Sequence, residues 1–158
     1  AFVRLAEKLP LDVRVIEFMP IGSARSWRPE LFVSARDALL LASRQVELIP
    51  EAQRHDTAGP ARMYRIAGGQ GRFGVISPLT DHFCKSCNRI RITADGKLRT
   101  CLFAGCEYRL RPLLRNPRLG LPTVRRVIAM ALRHKPLGFE VLAAEGDRGE
   151  RGMSAIGG

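Results

Sequence analysis

The sequence predicts an α/β fold class, with an α+β fragment in its second part, and two patterns carry that reading. Phe2, Val3, Leu5 and Leu9 fall at helical spacing and lead into Val13-Arg14-Val15-Ile16-Glu17-Phe18-Met19, an apolar run closed by Pro20 and Gly22. Helix followed by buried strand is the rhythm of a parallel sheet or barrel. Beyond residue 60 the style changes to short apolar runs separated by turn residues, which predicts an antiparallel sheet. At 158 residues and 46% apolar composition, the chain suits one domain, or one domain plus a fragment of another.

The first helix has no capping residue ahead of it, so it is expected to be under way already at residue 1, as in the later part of a longer protein. In the strand that follows, Val13, Val15 and Glu17 share one face and Arg14, Ile16 and Phe18 the other. Charged residues near a strand's carboxyl end line the ligand site in such folds, although a structural salt bridge accounts equally well for Arg14 and Glu17. After a loop through Trp27 and Pro29, Ser34-Ala-Arg-Asp37 reads as a capping box, opening a helix to about Arg44 with Leu39, Leu40 and Leu41 on its apolar side. A short strand is expected over 46–49 and a polar loop over 50–61. Strands are expected over 63–67, 73–77, 89–93 and 98–102, and Thr123 is placed to cap a helix running to about Arg133. The expected organisation is therefore 1–50 as the α/β part, 51–145 as a small domain with an antiparallel sheet, and 146–158 as a glycine-rich tail.

The formal charge of +11 comes from 22 Arg and only 4 Lys. Planar guanidinium forks suit phosphate and carboxylate oxygens, while an arginine excess spread over a solvated surface explains the charge as a whole equally well. No run approaches the roughly 18 apolar residues of a membrane span, and the first residues lack the apolar core of a signal peptide. The expected location is therefore cytoplasmic, where four cysteines favour metal or redox use over disulfides.

Gly69-Gln-Gly71-Arg-Phe-Gly74 matches GxGxxG, but Val75-Ile76-Ser77-Pro78 follows where a pyrophosphate-binding helix would be needed, so a hairpin turn is the better reading. More chemistry lies in Cys84-Lys-Ser-Cys87-Asn-Arg89-Ile-Arg91 and in Cys101 beyond it. A CxxC pair holds two thiolates on one turn, and a third from a nearby strand can cap an iron-sulfur cube or a zinc ion with one coordinate left open. On the strand after the pair, Arg89, Arg91 and Thr93 project one way and Ile90 and Ile92 the other. Which way Cys101 points depends on the turn. A two-residue Asp95-Gly96 loop pairs it with Ile90, whereas a three-residue Ala94-Asp95-Gly96 loop with left-handed Gly96 pairs it with Arg89. A site joining thiols and guanidiniums needs the second register.

Phe83-Cys84-x-x-Cys87-Asn88-Arg89-x-Arg91, the Thr93-to-Arg99 hairpin, Cys101-Leu-Phe103, Arg14-Val-Ile-Glu17-Phe-Met19 and the terminal Ile156-Gly157-Gly158 together resemble the C-terminal half of the molybdenum cofactor biosynthesis protein A family, from about residue 10 onward. That resemblance implies a radical S-adenosylmethionine GTP 3',8-cyclase, a lyase converting GTP to 3',8-cyclo-7,8-dihydro-GTP. It also implies that the chain contains the last part of an incomplete, TIM-like α/β barrel followed by an iron-sulfur domain. Cys84, Cys87 and Cys101 would hold a 4Fe-4S cluster whose free iron meets GTP. Arg89, Arg91 and Arg14 would bind GTP, Met19 would lie beside S-adenosylmethionine, and Gly157 and Gly158 would thread into the active site, although read alone the tail looks like a disordered end. The CxxxCxxC motif of the radical-generating cluster is absent from these residues. The fragment alone is thus not expected to turn over GTP, and the implied partners are a missing N-terminal half and, in the full-length protein, a second copy. Membranes and nucleic acid are not expected partners. The rival reading places Cys84, Cys87, Cys101 and Cys106 around zinc in a ribbon-like nucleic-acid-binding module.

Overall fold

The computed structural model describes residues 1–21, 28–52 and 59–145. Its contacts divide the chain into two units, one of Ala1–Met19 with Arg28–Phe83 and one of Pro20–Trp27 with Cys84–Gly158.

In the first unit, helix α1 (Phe2–Lys8) buries Val3 and Ala6, three positions apart and so on one face. Strand β1 (Asp12–Ile16) follows. Its valines are half-buried and alternate with exposed Asp12, Arg14 and Ile16, the period of two that a pleated strand imposes. Helix α2 (Ala35–Ser43) opens on the expected box. The Asp37 N–H donates to Ser34 Oγ at 3.0 Å, and the Ser34 hydroxyl donates to the Asp37 carboxylate at 2.7 Å. Strands β2 (Leu48–Pro50), β3 (Arg62–Ile66) and β4 (Arg72–Ile76) complete a sheet of order β1-β4-β3-β2. Val3, Ala6, Ala35, Ala42, Val46, Ile66, Phe73 and Val75 form the core, with Val13 and Val15 packed against it.

Here the sequence expectation needs correcting. The runs near 63 and 73 were expected to share one antiparallel sheet with those near 89 and 98. Instead β3 and β4 pair antiparallel with each other, and β4 lies parallel to β1 in the register Arg14↔Gly74. Partners so far apart along the chain leave no trace in local periodicity. The glycine run between β3 and β4 is a hairpin connection, with Gly68 at φ +67°, and no helix follows it.

In the second unit, a 3-10 turn at Cys84–Ser86 leads to β5 (Arg91–Ile92), β6 (Lys97–Arg99) and β7 (Tyr108–Arg109), an antiparallel sheet of order β5-β6-β7. These strands are shorter than expected. Helices α3 (Arg111–Arg115), α4 (Gly120–Arg133) and α5 (Gly138–Glu145) follow. Only α4 was expected, and Thr123 does not cap it: the helix begins earlier, and the Thr123 hydroxyl donates to the Leu119 carbonyl at 2.8 Å, satisfying itself along the first turn. Leu98 and Ala131, both fully buried, join Leu110 and Val124 in this unit's core, with Tyr108, Leu113, Val127 and Ile128 packed around them.

Candidate functional site

The hairpin between β5 and β6 resolves the question of register. Arg91 pairs with Arg99 and Ile92 with Leu98. The Thr93 N–H donates to the Lys97 carbonyl at 2.9 Å, and the Gly96 N–H to the Thr93 carbonyl at 2.9 Å, enclosing the three-residue loop Ala94-Asp95-Gly96. Gly96 takes φ +80°, the left-handed conformation that glycine adopts without strain. The ladder ends at Arg91↔Arg99; counted two residues further, the same register would set Cys101 opposite Arg89 rather than Ile90. Directly opposed residues share a face, so Arg91, Arg99 and Lys97 belong to one side of the hairpin and Ile92, Leu98 and Tyr108 to the core side.

That charged side is internally organised. Arg99 is only 7% exposed, although it is an arginine in a short hairpin. It donates to Glu107 at 2.9 Å, to the Ala104 carbonyl at 2.6 Å and to the Leu102 carbonyl at 3.3 Å, fastening the loop after Cys101 to β6. Its Nε is buried with no partner among the described residues. Lys97 bridges Glu107 at 3.0 Å and Asp95 at 2.9 Å. Hydrogen bonds from Thr93 and then Lys97 pull the Asp95 pKa down to about 2.

Four free thiols lie in this unit. Cys84 and Cys87 bracket the 3-10 turn, closed by the Cys87 N–H donating to the Cys84 carbonyl at 3.3 Å. Both are half-buried, as is Cys101. Cys106 is exposed, and its neighbouring side chain raises the pKa of the Tyr108 hydroxyl, with desolvation adding to the effect. Among the described residues no three His, Cys, Asp or Glu side chains converge closely enough to hold a metal ion. In kind, the donors fit an iron-sulfur group: reduced cysteines, partly shielded from water, with an N–H donor, Lys135 Nζ, 3.3 Å from Cys87 Sγ.

The other expected site residues stand as follows. Arg89 is exposed and Arg91 half-buried, at the entrance to and on β5. Arg14 and Met19 belong to the first unit. Arg14 points its guanidinium at Asp12, 3.2 Å away, and remains half-exposed; Asp12 is shared with Arg72, whose two hydrogen bonds of 2.6 and 2.7 Å lead in holding the Asp12 pKa low. Met19 is half-buried just beyond β1. Gly157 and Gly158 lie outside the described residues. Glu17 does not pair with Arg14. Buried at 3% exposure, it accepts from the Ala35, Leu79 and Thr80 N–H groups at 3.0, 2.8 and 3.1 Å and from the Thr80 hydroxyl. Burial works against its ionisation, yet these donors outweigh burial and keep its pKa below the ordinary glutamate value.

Sequence reasoning missed Lys135, Gly138 and the Arg99–Glu107 pair. None carries a local signal. Lys135 reaches Cys87 across 48 positions of chain, and Gly138 meets Cys101 through space alone.

A mixed α/β chain that follows a small sheet unit with a cysteine-bearing cationic hairpin is, by architecture, an α/β protein with an appended thiol-rich domain. Residues 11–141 match the family described as Molybdenum Cofactor Synthesis C, and the chain belongs to that family. Curated relatives named GTP 3',8-cyclase include those of Alkaliphilus oremlandii, 38% identical over 99% of this chain and 47% of the relative, and Pelotomaculum thermopropionicum, 39% identical over 100% and 48%. The relative from Moorella thermoacetica is 40% identical over 99% of this chain and 47% of its own length. The chain thus spans about half the length of the curated relatives it matches. No helix among the described residues is long and apolar enough to cross a membrane.

Proposed function

We propose that this chain is the C-terminal half of a cytoplasmic GTP 3',8-cyclase, in which Cys84, Cys87 and Cys101 hold a 4Fe-4S cluster and Arg89 and Arg91 bind GTP beside it. The observation that supports this reading is the three-residue hairpin with its Arg91↔Arg99 pair, a register that would set Cys101 opposite Arg89 if carried two residues further, inside a segment matching the molybdenum cofactor family. Three cysteine ligands would leave one iron of a cube without a protein ligand, free to take the guanine base. Two guanidiniums separated by a single residue, Arg91 on β5 and Arg89 at its entrance, suit phosphate oxygens through paired N–H donors. Arg14 adds a further cation toward the nucleotide, and Met19 borders S-adenosylmethionine. Gly157 and Gly158 approach the substrate closely because they lack side chains. The first unit is the end of an incomplete α/β barrel, completed by an N-terminal half that carries the second cluster, in a homodimer. Bound cofactors supply radical chemistry to this arrangement, while the chain's residues bind and orient the nucleotide.

The test is anaerobic reconstitution of the full-length protein with iron and sulfide, followed by GTP titration. Broad absorption near roughly 400 nm, the thiolate-to-iron region, and a GTP-dependent change in the electron paramagnetic resonance spectrum are expected. Arg89→Ala should weaken GTP binding about tenfold, the size expected for one charge-assisted contact. Stoichiometric zinc held by all four cysteines, with no response to GTP, would overturn the reading in favour of a zinc ribbon.

A further inference from the structure

The connection between α4 and α5 touches two of the three proposed cluster ligands. Lys135 follows the C-cap His134, and its ammonium donates to the Cys87 carbonyl at 2.7 Å, the Arg89 carbonyl at 2.8 Å and Cys87 Sγ at 3.3 Å. A lysine ammonium has three N–H donors, and here each has an acceptor on the segment 87–89. Lys135 is half-buried, and no carboxylate among the described residues pairs with it. Three positions on, Gly138 is buried so tightly that a Cβ there would stand 3.1 Å from Cys101 Sγ and 2.7 Å from the Phe103 ring.

We propose that Lys135 is a positioning residue for the cysteine site, a strut from the end of α4 that fixes the exit of the CxxC turn and donates a charged hydrogen bond to the Cys87 sulfur. This rests on the cluster-binding reading above. Residues 87–90 belong to no helix or strand, so their backbone has no ladder to hold it. The ammonium supplies that anchorage by binding two of their carbonyls, one on the second cysteine and one on the first arginine of the RxR pair. Lysine suits the task because its three donors can reach a carbonyl on either side of a sulfur, whereas a guanidinium presents a flat fork matched to paired oxygens. A positive donor on a ligand sulfur also favours the more negatively charged, reduced state of a cluster held there, and so raises its reduction potential.

Two readouts on the full-length protein test the proposal. In the metal-free protein, Lys135→Met should speed amide hydrogen exchange of the segment 84–92 by about tenfold, the effect of losing one charged hydrogen bond, while β1 and β4 exchange unchanged. In the reconstituted protein, the cluster signal that Cys84→Ser removes should titrate at a more negative midpoint in Lys135→Met, with Lys135→Arg returning part of the shift. Wild-type exchange together with a wild-type midpoint would overturn the role of Lys135. Absence of any signal removable by Cys84→Ser would instead overturn the cluster reading, and the exchange measurement would still decide whether Lys135 is a strut. If Lys135→Met fails to fold, Lys135→Gln takes its place with the same readouts.

Discussion

The two units of this chain use charge in opposite ways. In the first, charge holds secondary structure together: buried Glu17 gathers the start of α2 and the loop at Leu79 and Thr80 with four hydrogen bonds, and exposed Asp12 joins Arg14 on its own strand to Arg72 on β4. In the second, charge lies around the half-buried thiols. Arg99 ties down the loop after Cys101, and Lys135 ties down the turn at Cys87. A carboxylate saturated by backbone donors is finished as a structural element. A sulfur held from one side by an ammonium keeps its remaining coordination available.

The sharpest way to break this contrast is at Glu17. Replacement by Ala leaves three N–H groups, that of Ala35 buried and those of Leu79 and Thr80 part-buried, and a hydroxyl without their acceptor, and each orphaned buried donor costs on the order of 1–3 kcal/mol. Glu17→Ala should therefore lower stability in urea unfolding by about 4 kcal/mol. A loss under about 1 kcal/mol would mean that water reaches those donors and that the carboxylate is not their anchor. In the second unit, Leu98→Ala should cost about 3 kcal/mol, because this fully buried side chain fills the space between the hairpin and α4. Gly96→Ala comes next, at about 1.5 kcal/mol, since it forces a Cβ into the left-handed region, where that atom would also sit 2.8 Å from Arg111 Cβ. The same substitution tests the register directly: shifting the Arg91↔Arg99 pairing should displace Cys101, seen as loss of the proposed cluster rather than of the fold. Ser34→Ala should be mildest, about 1 kcal/mol for a helix N-cap.

Acid separates the units further. The Glu17 pKa lies below its ordinary value of 4.5, so its contribution to stability is complete above that value and is lost as pH falls through the lower, folded one. The same holds for Asp12 below its ordinary 3.8. The first unit should accordingly unfold more readily as pH drops below about 4.5, the share due to buried Glu17 changing little with salt while the share due to the exposed Asp12–Arg72 pair weakens in high salt. Asp95 is depressed as well, to about 2, but it is solvent-exposed on the hairpin turn, and its interaction with Lys97 should fade in high salt. Circular dichroism against pH at low and high ionic strength distinguishes the two. An acid transition in the first unit that high salt abolishes altogether would contradict the role given to Glu17.

What the sequence made legible was local. Ser34 and Asp37 announce their helix within four residues, and Asp95-Gly96 announces a turn whose two registers could be enumerated before the pairing of Arg91 with Arg99 chose between them. The alternation of Val13 and Val15 with charged neighbours was equally readable. What escaped depends on distance through the chain. Nothing in Phe73 or Val75 names β1 as their parallel partner, and Lys135 is a lone lysine until the fold brings its ammonium to Cys87. Helix α3 is only five residues long with a proline in its first turn, and α5 opens on Gly138. Neither start resembles the capped beginnings by which helices are recognised.

The most direct measurement is iron content of the anaerobically reconstituted full-length protein carrying Cys101→Ser beside the same protein carrying Cys106→Ser. Loss of about four iron atoms per chain in Cys101→Ser, with full iron retained in Cys106→Ser, is the expected result. Equal iron in both proteins would contradict the assignment of Cys84, Cys87 and Cys101 as the ligands.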